Sequence, residues 1–246
     1  MDQTARQTQI ARGNWNTALI ALALIFIWLL VGTAGCAWFT GSKQVESAEK
    51  LAENGMESFE QEDYKDALKA FNTLKERYPY SRYAILAELK VADAHFYRKE
   101  YPEAIDAYQD FVQLHPKNEA IPYVKYQIGL CYYAQLLSKD RDQTPTHLAI
   151  LSFERLLEEH PDSAYASEAT KKIADCRKLL AEHELYVGHF YYKSKYYGAA
   201  LGRFEGVLTG YMDVLPSNTQ REVERLIIAC KAKLSDRSGG KADDNN

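Results

Sequence analysis

The chain predicts an all-α fold, a superhelical solenoid of about five stacked helix pairs, and three observations carry that expectation. The first is a repeat. "DYKDALKAFNTLKERYP" (Asp63 to Pro79) returns as "EYPEAIDAYQDFVQLHP" (Glu100 to Pro116), matching Tyr64, Ala67, Phe71 and Pro79 to Tyr101, Ala104, Tyr108 and Pro116 at a constant offset of 37. The second is that two weaker copies follow. "HLAILSFERLLEEHP" carries Ala149, Phe153 and Pro161, and "YYGAALGRFEGVLTGYM" carries Tyr197, Ala200 and Phe204, with Met212 where the proline would fall. The third lies upstream of these alanines. Twelve residues before them stand Gly55, Ala92, Gly129 and Gly188, and eight before them Phe59, Phe96, Tyr133 and Tyr192, once an eight-residue insertion within "SKDRDQTP" is set aside for the third copy.

Each unit is thus a helix with a small residue and an aromatic one turn later, a turn, and a second helix with alanine and a ring four residues on. Small residues let two helices approach closely, and the i, i+4 spacing puts alanine and ring on one face. Any antiparallel bundle has alanines and rings at contacts, but not at a common spacing. The arrangement resembles the tetratricopeptide repeat, a helix–turn–helix unit of about 34 residues. That resemblance implies a right-handed superhelix in which the first helix of each pair lines a concave face.

Taken in order, helices are expected over Val45 to Glu60, Asp63 to Arg77, Ser81 to Arg98, Pro102 to Leu114 and Glu119 to Leu137, with "YPYS" and "HPKN" as closing turns, because proline cannot continue a helix. In "KDRDQTP", Thr144 before Pro145 reads as N-cap and first helical residue of a helix to Glu159. Asp140, Arg141 and Asp142 are expected to organise that loop by hydrogen bonds. Between Pro161 and Gly188 the chain is longer than in the other units by 14 residues, close to four whole turns, so the inward face is preserved. One long helix from about Ala164 to Lys193 follows as a strut. The last unit is incomplete, a lone helix from Thr219 to Leu234 that caps the open apolar end of the stack, as solenoids require.

The ends speak of location. Arg6 and Arg12 precede the uncharged run "ALIALALIFIWLLV" (Ala18 to Val31), the order of a secretory signal. A run of fourteen suits an export segment better than a bilayer span of about 20 residues, although an anchor helix stays open once Gly32 to Ala34 are added. "TAGC" resembles a bacterial lipobox, with Cys36 as the lipid-attachment residue. Thr33 departs from the usual leucine, which leaves ordinary signal cleavage as the other reading. Ala37 rather than aspartate follows Cys36, and the resemblance then implies the periplasmic leaflet of the outer membrane. More than one acyl chain on Cys36 gives stable anchoring, since each buried CH₂ contributes only ~0.8 kcal/mol. At the other end, "SDRSGGKADDNN" reads as a disordered tail. The domains expected are therefore a signal segment (1–35), a lipidated linker (36–44), the first repeats (45–137), the loop, strut and last repeats (138–234), and the tail (235–246).

With 246 residues, 46% apolar and 26% charged, and a net charge of -4 with no basic stretch, the chain is globular and gives no footing for nucleic acid. Cys131, Cys176 and Cys230 lie in helical apolar contexts and read as buried free thiols, a Cys176–Cys230 disulfide being the alternative. His183 and His189 are six apart, which does not put two metal ligands on one helix face, and His115 and His160 simply precede closing prolines. No nucleophile motif or phosphate loop appears, so neither catalysis nor a cofactor beyond the lipid on Cys36 is expected. On the concave face the candidate peptide groove comprises Met56, Phe59 and Glu60, then Asp93, Phe96 and Tyr97, then Tyr123, Tyr126 and Tyr133. Rings with one polar tip suit an extended aromatic peptide, and the same rings also suit packing of helix on helix.

The stretches "LHPKN", "YQIGLCYY", "DRDQT", "FERLLEEHPDSAYA" and "LAEHELYVGHFYYKSKYYGAALGRFEGVL" resemble the BamD family of lipoproteins of the outer-membrane β-barrel assembly machine, from near Val45 to Leu234. The resemblance implies a non-enzymatic periplasmic scaffold whose C-terminal repeats dock on the POTRA region of the barrel-forming BamA. Its N-terminal repeats would meet unfolded outer-membrane proteins, and other assembly lipoproteins would be possible neighbours. The alternative is a repeat lipoprotein acting as pilotin or cell-wall adaptor, which should lack the "DRDQT" insertion and the strut.

Overall fold

The structure is a computed structural model that describes residues 45–243, with side chains to residue 236. The signal segment, Cys36 and the linker lie outside the described residues. The chain from Ser47 onward forms one unit. Among the described residues there are nine α-helices, one short 3₁₀ turn and no strand. The helices are α1 (Ala48–Glu60), α2 (Tyr64–Arg77), α3 (Ala84–Tyr97), α4 (Tyr101–Leu114), α5 (Ile121–Tyr133), α6 (Thr144–Glu159), α7 (Ala166–Lys193), α8 (Tyr197–Gly210) and α9 (Ser217–Asp243). Each packs mainly on its neighbours in chain order, which is the one-dimensional logic of a repeat solenoid.

The expected contact between small residue and ring is present in every unit. A Cβ added at Gly55 would lie 2.6 Å from the Phe71 ring, and one at Gly188 would lie 2.6 Å from Phe204. At Gly129 the Phe153 ring is closer still. In the second unit Ala92 takes the glycine's place and Tyr108 the phenylalanine's, both fully buried. Ala67, Ala104, Ala149 and Ala200 are likewise at 0% exposure. Replacing Ala104 by leucine should therefore overpack the second unit and cost about 1–3 kcal/mol. A thermal melt that does not move would show the register to be wrong.

The closing turns repeat as faithfully as the helices. The amide of Ser81 donates to Tyr78, that of Asn118 to His115 and that of Ser163 to His160, each around a proline. The Ser81 hydroxyl and Asn118 amide oxygen then accept from Tyr83 and Ala120, and so delay the following helices to Ala84 and Ile121. This is why α3 and α5 start later than apolar periodicity suggests. Ser47, accepting from Lys50, sets the start of α1 in the same way. Inside the first, second and fourth pairs the chain turns through Glu62, Lys99 and Lys195, with φ of 61°, 63° and 63°.

Two expectations need correction here. Thr144 is not the N-cap of α6. Gln143 precedes the helix, while Asp142 Oδ1 accepts both the Thr144 amide (3.2 Å) and its hydroxyl (2.9 Å). The carboxylate two residues back is the stronger acceptor, so the threonine serves as donor. The tail is not unstructured throughout, because α9 continues past Leu234 to Asp243. No proline interrupts that stretch, and a helix already nucleated adds one hydrogen bond per further residue. Elsewhere the strut is as expected, a single helix of 28 residues, about 42 Å long. Cys131, Cys176 and Cys230 are free and buried, and burial pushes the Cys131 thiol up to about 12.

Candidate functional site

The first helices α1, α3 and α5 bring most of the candidate groove residues into one connected array. At its N-terminal end Phe59 packs edge-on against Tyr64 (5.2 Å) and Tyr97 (5.7 Å), and Tyr64 and Tyr97 stack at 5.2 Å. Phe96 contacts Tyr97 and Tyr101 edge-on. The chain turn beneath is held by Glu100, which accepts from Arg98 (2.6 Å) and pairs with His95 Nδ1 (2.8 Å).

Those two partners, Arg98 first, hold the Glu100 carboxyl down at about 2. A depressed carboxyl contributes stability that is complete above its ordinary value near 4.5 and fades as pH falls toward 2. Glu100→Gln should therefore lower stability at neutral pH, where that contribution is complete, and flatten the acid limb so that variant and wild type converge as pH falls toward 2. Denaturation midpoints at a series of pH values would show it, and parallel wild-type and variant curves would refute it.

Asp93 does not line an open groove. It is 1% exposed, accepts Tyr108 Oη (2.7 Å) and Tyr123 Oη (2.9 Å) on Oδ1, and pairs with Lys90 Nζ (2.9 Å) on Oδ2. A carboxylate at this depth is tolerated because both of its oxygens find donors, one of them an ammonium. Burial, with the Asp93 charge second, pushes the Tyr108 and Tyr123 phenols well above their ordinary value, so both stay protonated as donors. Gln127 donates in turn to Tyr123 Oη at 2.9 Å.

Lys90 joins the two halves, since its ammonium also sits 4.6 Å above the Phe59 ring. From Tyr123 the array passes through Tyr165, 5.9 Å away, to Tyr126, which stacks on Tyr165 at 5.2 Å and leans on Phe153. Tyr133 stands apart, donating to Asp175 (3.1 Å) under the Lys172 ammonium, and burial with that bond pushes its phenol up to about 12. Met56 packs into the first core cluster, and Glu60 is exposed. Of the candidate rings only Tyr97, at 50%, is openly exposed. The face offers a broad shelf at its N-terminal end and a closed polar node behind it.

Lys90, Tyr64, Tyr108 and Tyr165 belong to this array although groove spacing alone does not select them. One signal was available: Tyr108 stands where the other three units have phenylalanine, and a buried hydroxyl requires an acceptor.

In the inserted loop Asp140 accepts Ser138 Oγ (2.6 Å), the Arg141 amide donates to the Ser138 carbonyl, and Asp142 binds Thr144. The residue that closes it is the unforeseen Gln143, 6% exposed. Its amide nitrogen donates to the carbonyls of Ser138 and Arg141, both at 3.0 Å, and its oxygen accepts Thr146 Oγ1 at 2.9 Å. Arg141, Asp142 and Thr144 border a cleft of about 270 Å³ shared with Leu180, His183 and Tyr211.

Among known proteins, the outer membrane protein assembly factor BamD of Rickettsia prowazekii is 33% identical over 190 residues, 77% of this chain and 75% of that one. The BamD of Caulobacter vibrioides is 27% identical over 213 residues, 85% of this chain and 69% of that one. Among solved structures, the TPR2AB-domain:pHSP90-complex of yeast Sti1 is similar over 80% of this chain and 75% of that one, at 17% identity and a TM-score of 0.49. A family model described as "Outer membrane lipoprotein", YfiO, matches residues 44–235, which spans every described repeat, and the chain belongs to that family.

Proposed function

We propose that this chain is a scaffold of the β-barrel assembly machinery, held at the periplasmic face of the outer membrane by lipid on Cys36 and carrying no other cofactor. Its C-terminal repeats dock on the POTRA region of a BamA-like barrel protein, and its N-terminal repeats receive unfolded outer-membrane proteins. The observation that supports the substrate role most directly is the shelf of Phe59, Tyr64, Phe96 and Tyr97, half-buried or exposed rings fixed by one another and by Lys90. Rings already ordered before binding lose little entropy when an aromatic side chain of an extended strand lands on them.

The test is the affinity of a β-barrel C-terminal peptide for the full mature chain. Phe96→Ala and Tyr97→Ala are each expected to weaken binding, by about 1–2 kcal/mol in the range typical of aromatic interface anchors. Unchanged affinity in both variants would remove the shelf from the proposal. The docking role is tested separately by affinity purification from detergent-solubilised outer membrane, where recovery of a POTRA-bearing barrel protein is expected and recovery of a secretin instead would contradict it.

A further inference from the structure

The repeat itself exposes a surface with an absent neighbour. In the second unit Ala84, Ala87, Val91 and Ala94 form the stripe of α3 that meets the preceding helix, at 3%, 0%, 5% and 0% exposure. In the third unit the same positions are Ile121, Val124, Ile128 and Cys131 of α5, of which the first, second and fourth are buried. In the fourth unit they are Leu180, His183, Val187 and Phe190 of α7. Here burial decays along the helix: Leu180 is 5% exposed, His183 and Val187 are half-buried, and Phe190 is 62% exposed.

The cause is the 14-residue extension of α7, which displaces the fourth unit by about 21 Å along the strut. The helix that should cover its stripe is α6. But α6 begins at Thr144, beside Leu180 and His183 at the inserted loop, and His183 Nδ1 already spends its proton on the Lys139 carbonyl there, at 2.7 Å. The last two turns of α7 therefore overhang. Tyr186, 48% exposed, flanks the bare stripe, and Lys193 lies on the same side one heptad beyond it, exposed and absent from the described ion pairs.

We propose that this overhang docks an amphipathic helix of a partner protein, seated on α7 as α2 sits on α3 and α4 on α5. The occupant's chemistry follows from two features. The surface continues, without a break in register, the α6–α7 interface of Ala169, Ile173 and Cys176 and the buried Leu180 beside Thr144 and His147, so it takes an aliphatic helical stripe. Phe190 replaces Ala94 and Cys131, so the occupant carries small residues opposite it, and Lys193, which enters none of the described ion pairs, calls for a carboxylate at that end. This deepens the docking role proposed above and rests on it for the partner's place in the machinery.

The test places a photo-crosslinking phenylalanine at position 190, and at fully exposed Tyr80 as control, in the full chain in its own membrane. The expected result is one dominant adduct at position 190, mapping to a helical segment of another protein and reduced several-fold by Lys193→Glu. Circular dichroism of each variant verifies the fold. Adducts no stronger than at Tyr80, adducts spread over unfolded chains, or an adduct to a second copy would each overturn the proposal. If position 190 marks a discrete helix while affinity purification recovers no barrel protein, the surface stands and the assembly reading falls.

Discussion

Replacing Phe153 by alanine is expected to cost about 3–5 kcal/mol, the range for emptying a fully buried ring site. In a chain of this length that lowers the thermal midpoint by ~6–20 °C. The ring lies directly over Gly129 and also carries Tyr126, so its loss opens a void that both helices of the third unit border. The partner change tests the same contact from the other side. Gly129→Ala inserts a methyl group where the ring stands and should destabilise by overpacking, although alanine is the better helix former by roughly 1 kcal/mol. With Phe153→Leu in place there is room for that methyl group, and the penalty at 129 should shrink or reverse. Denaturation of the four proteins of this cycle measures the coupling, and additive effects would show that the two residues do not meet as described.

How much of this was legible beforehand divides along one physical line. Spacing that recurs, such as Gly55 with Phe71 or Gly188 with Phe204, is set by how closely two helices approach, and four copies make it readable. So are the closing turns, since proline and a short polar side chain act locally. What spacing cannot carry is depth. Asp93 and Met56 occupy equivalent positions, yet one is a buried carboxylate and the other a partly buried apolar residue, because Lys90, Tyr108 and Tyr123 surround the first where Glu53, Phe71 and Leu86 stand in the first unit. Gln143 is hidden for the same reason: glutamine in a polar loop has no pattern, and its burial is decided by two carbonyls and Thr146 that converge only after folding. The overhang of Phe190 required both kinds of information, the repeat to say which side should be covered and the structure to show that it is not.

Asp93→Met is the sharper test of the polar node, because the chain already contains the apolar version of the pair. Met56 and Phe71 in the first unit stand where Asp93 and Tyr108 stand in the second. Changing Asp93 alone strips the buried Tyr108 hydroxyl of its acceptor and breaks the pair with Lys90, and should cost about 3–5 kcal/mol. Tyr108→Phe alone leaves Asp93 with Lys90 and Tyr123 as donors, and about 1–1.5 kcal/mol is expected. Together the two changes transplant the first unit's pair. The orphaned hydroxyl disappears, Tyr123 keeps the bond from Gln127, and Lys90 reaches water, so the double variant should recover most of the single variant's loss. Chemical denaturation of all four proteins gives the answer. If the double variant is as unstable as Asp93→Met, the cost does not come from the unsatisfied phenol. In that case Asp93 acts through Lys90 and Tyr123, the two groups that tie the N-terminal rings to the stack of Tyr126 and Tyr165, and binding of a barrel peptide should fall in step with stability.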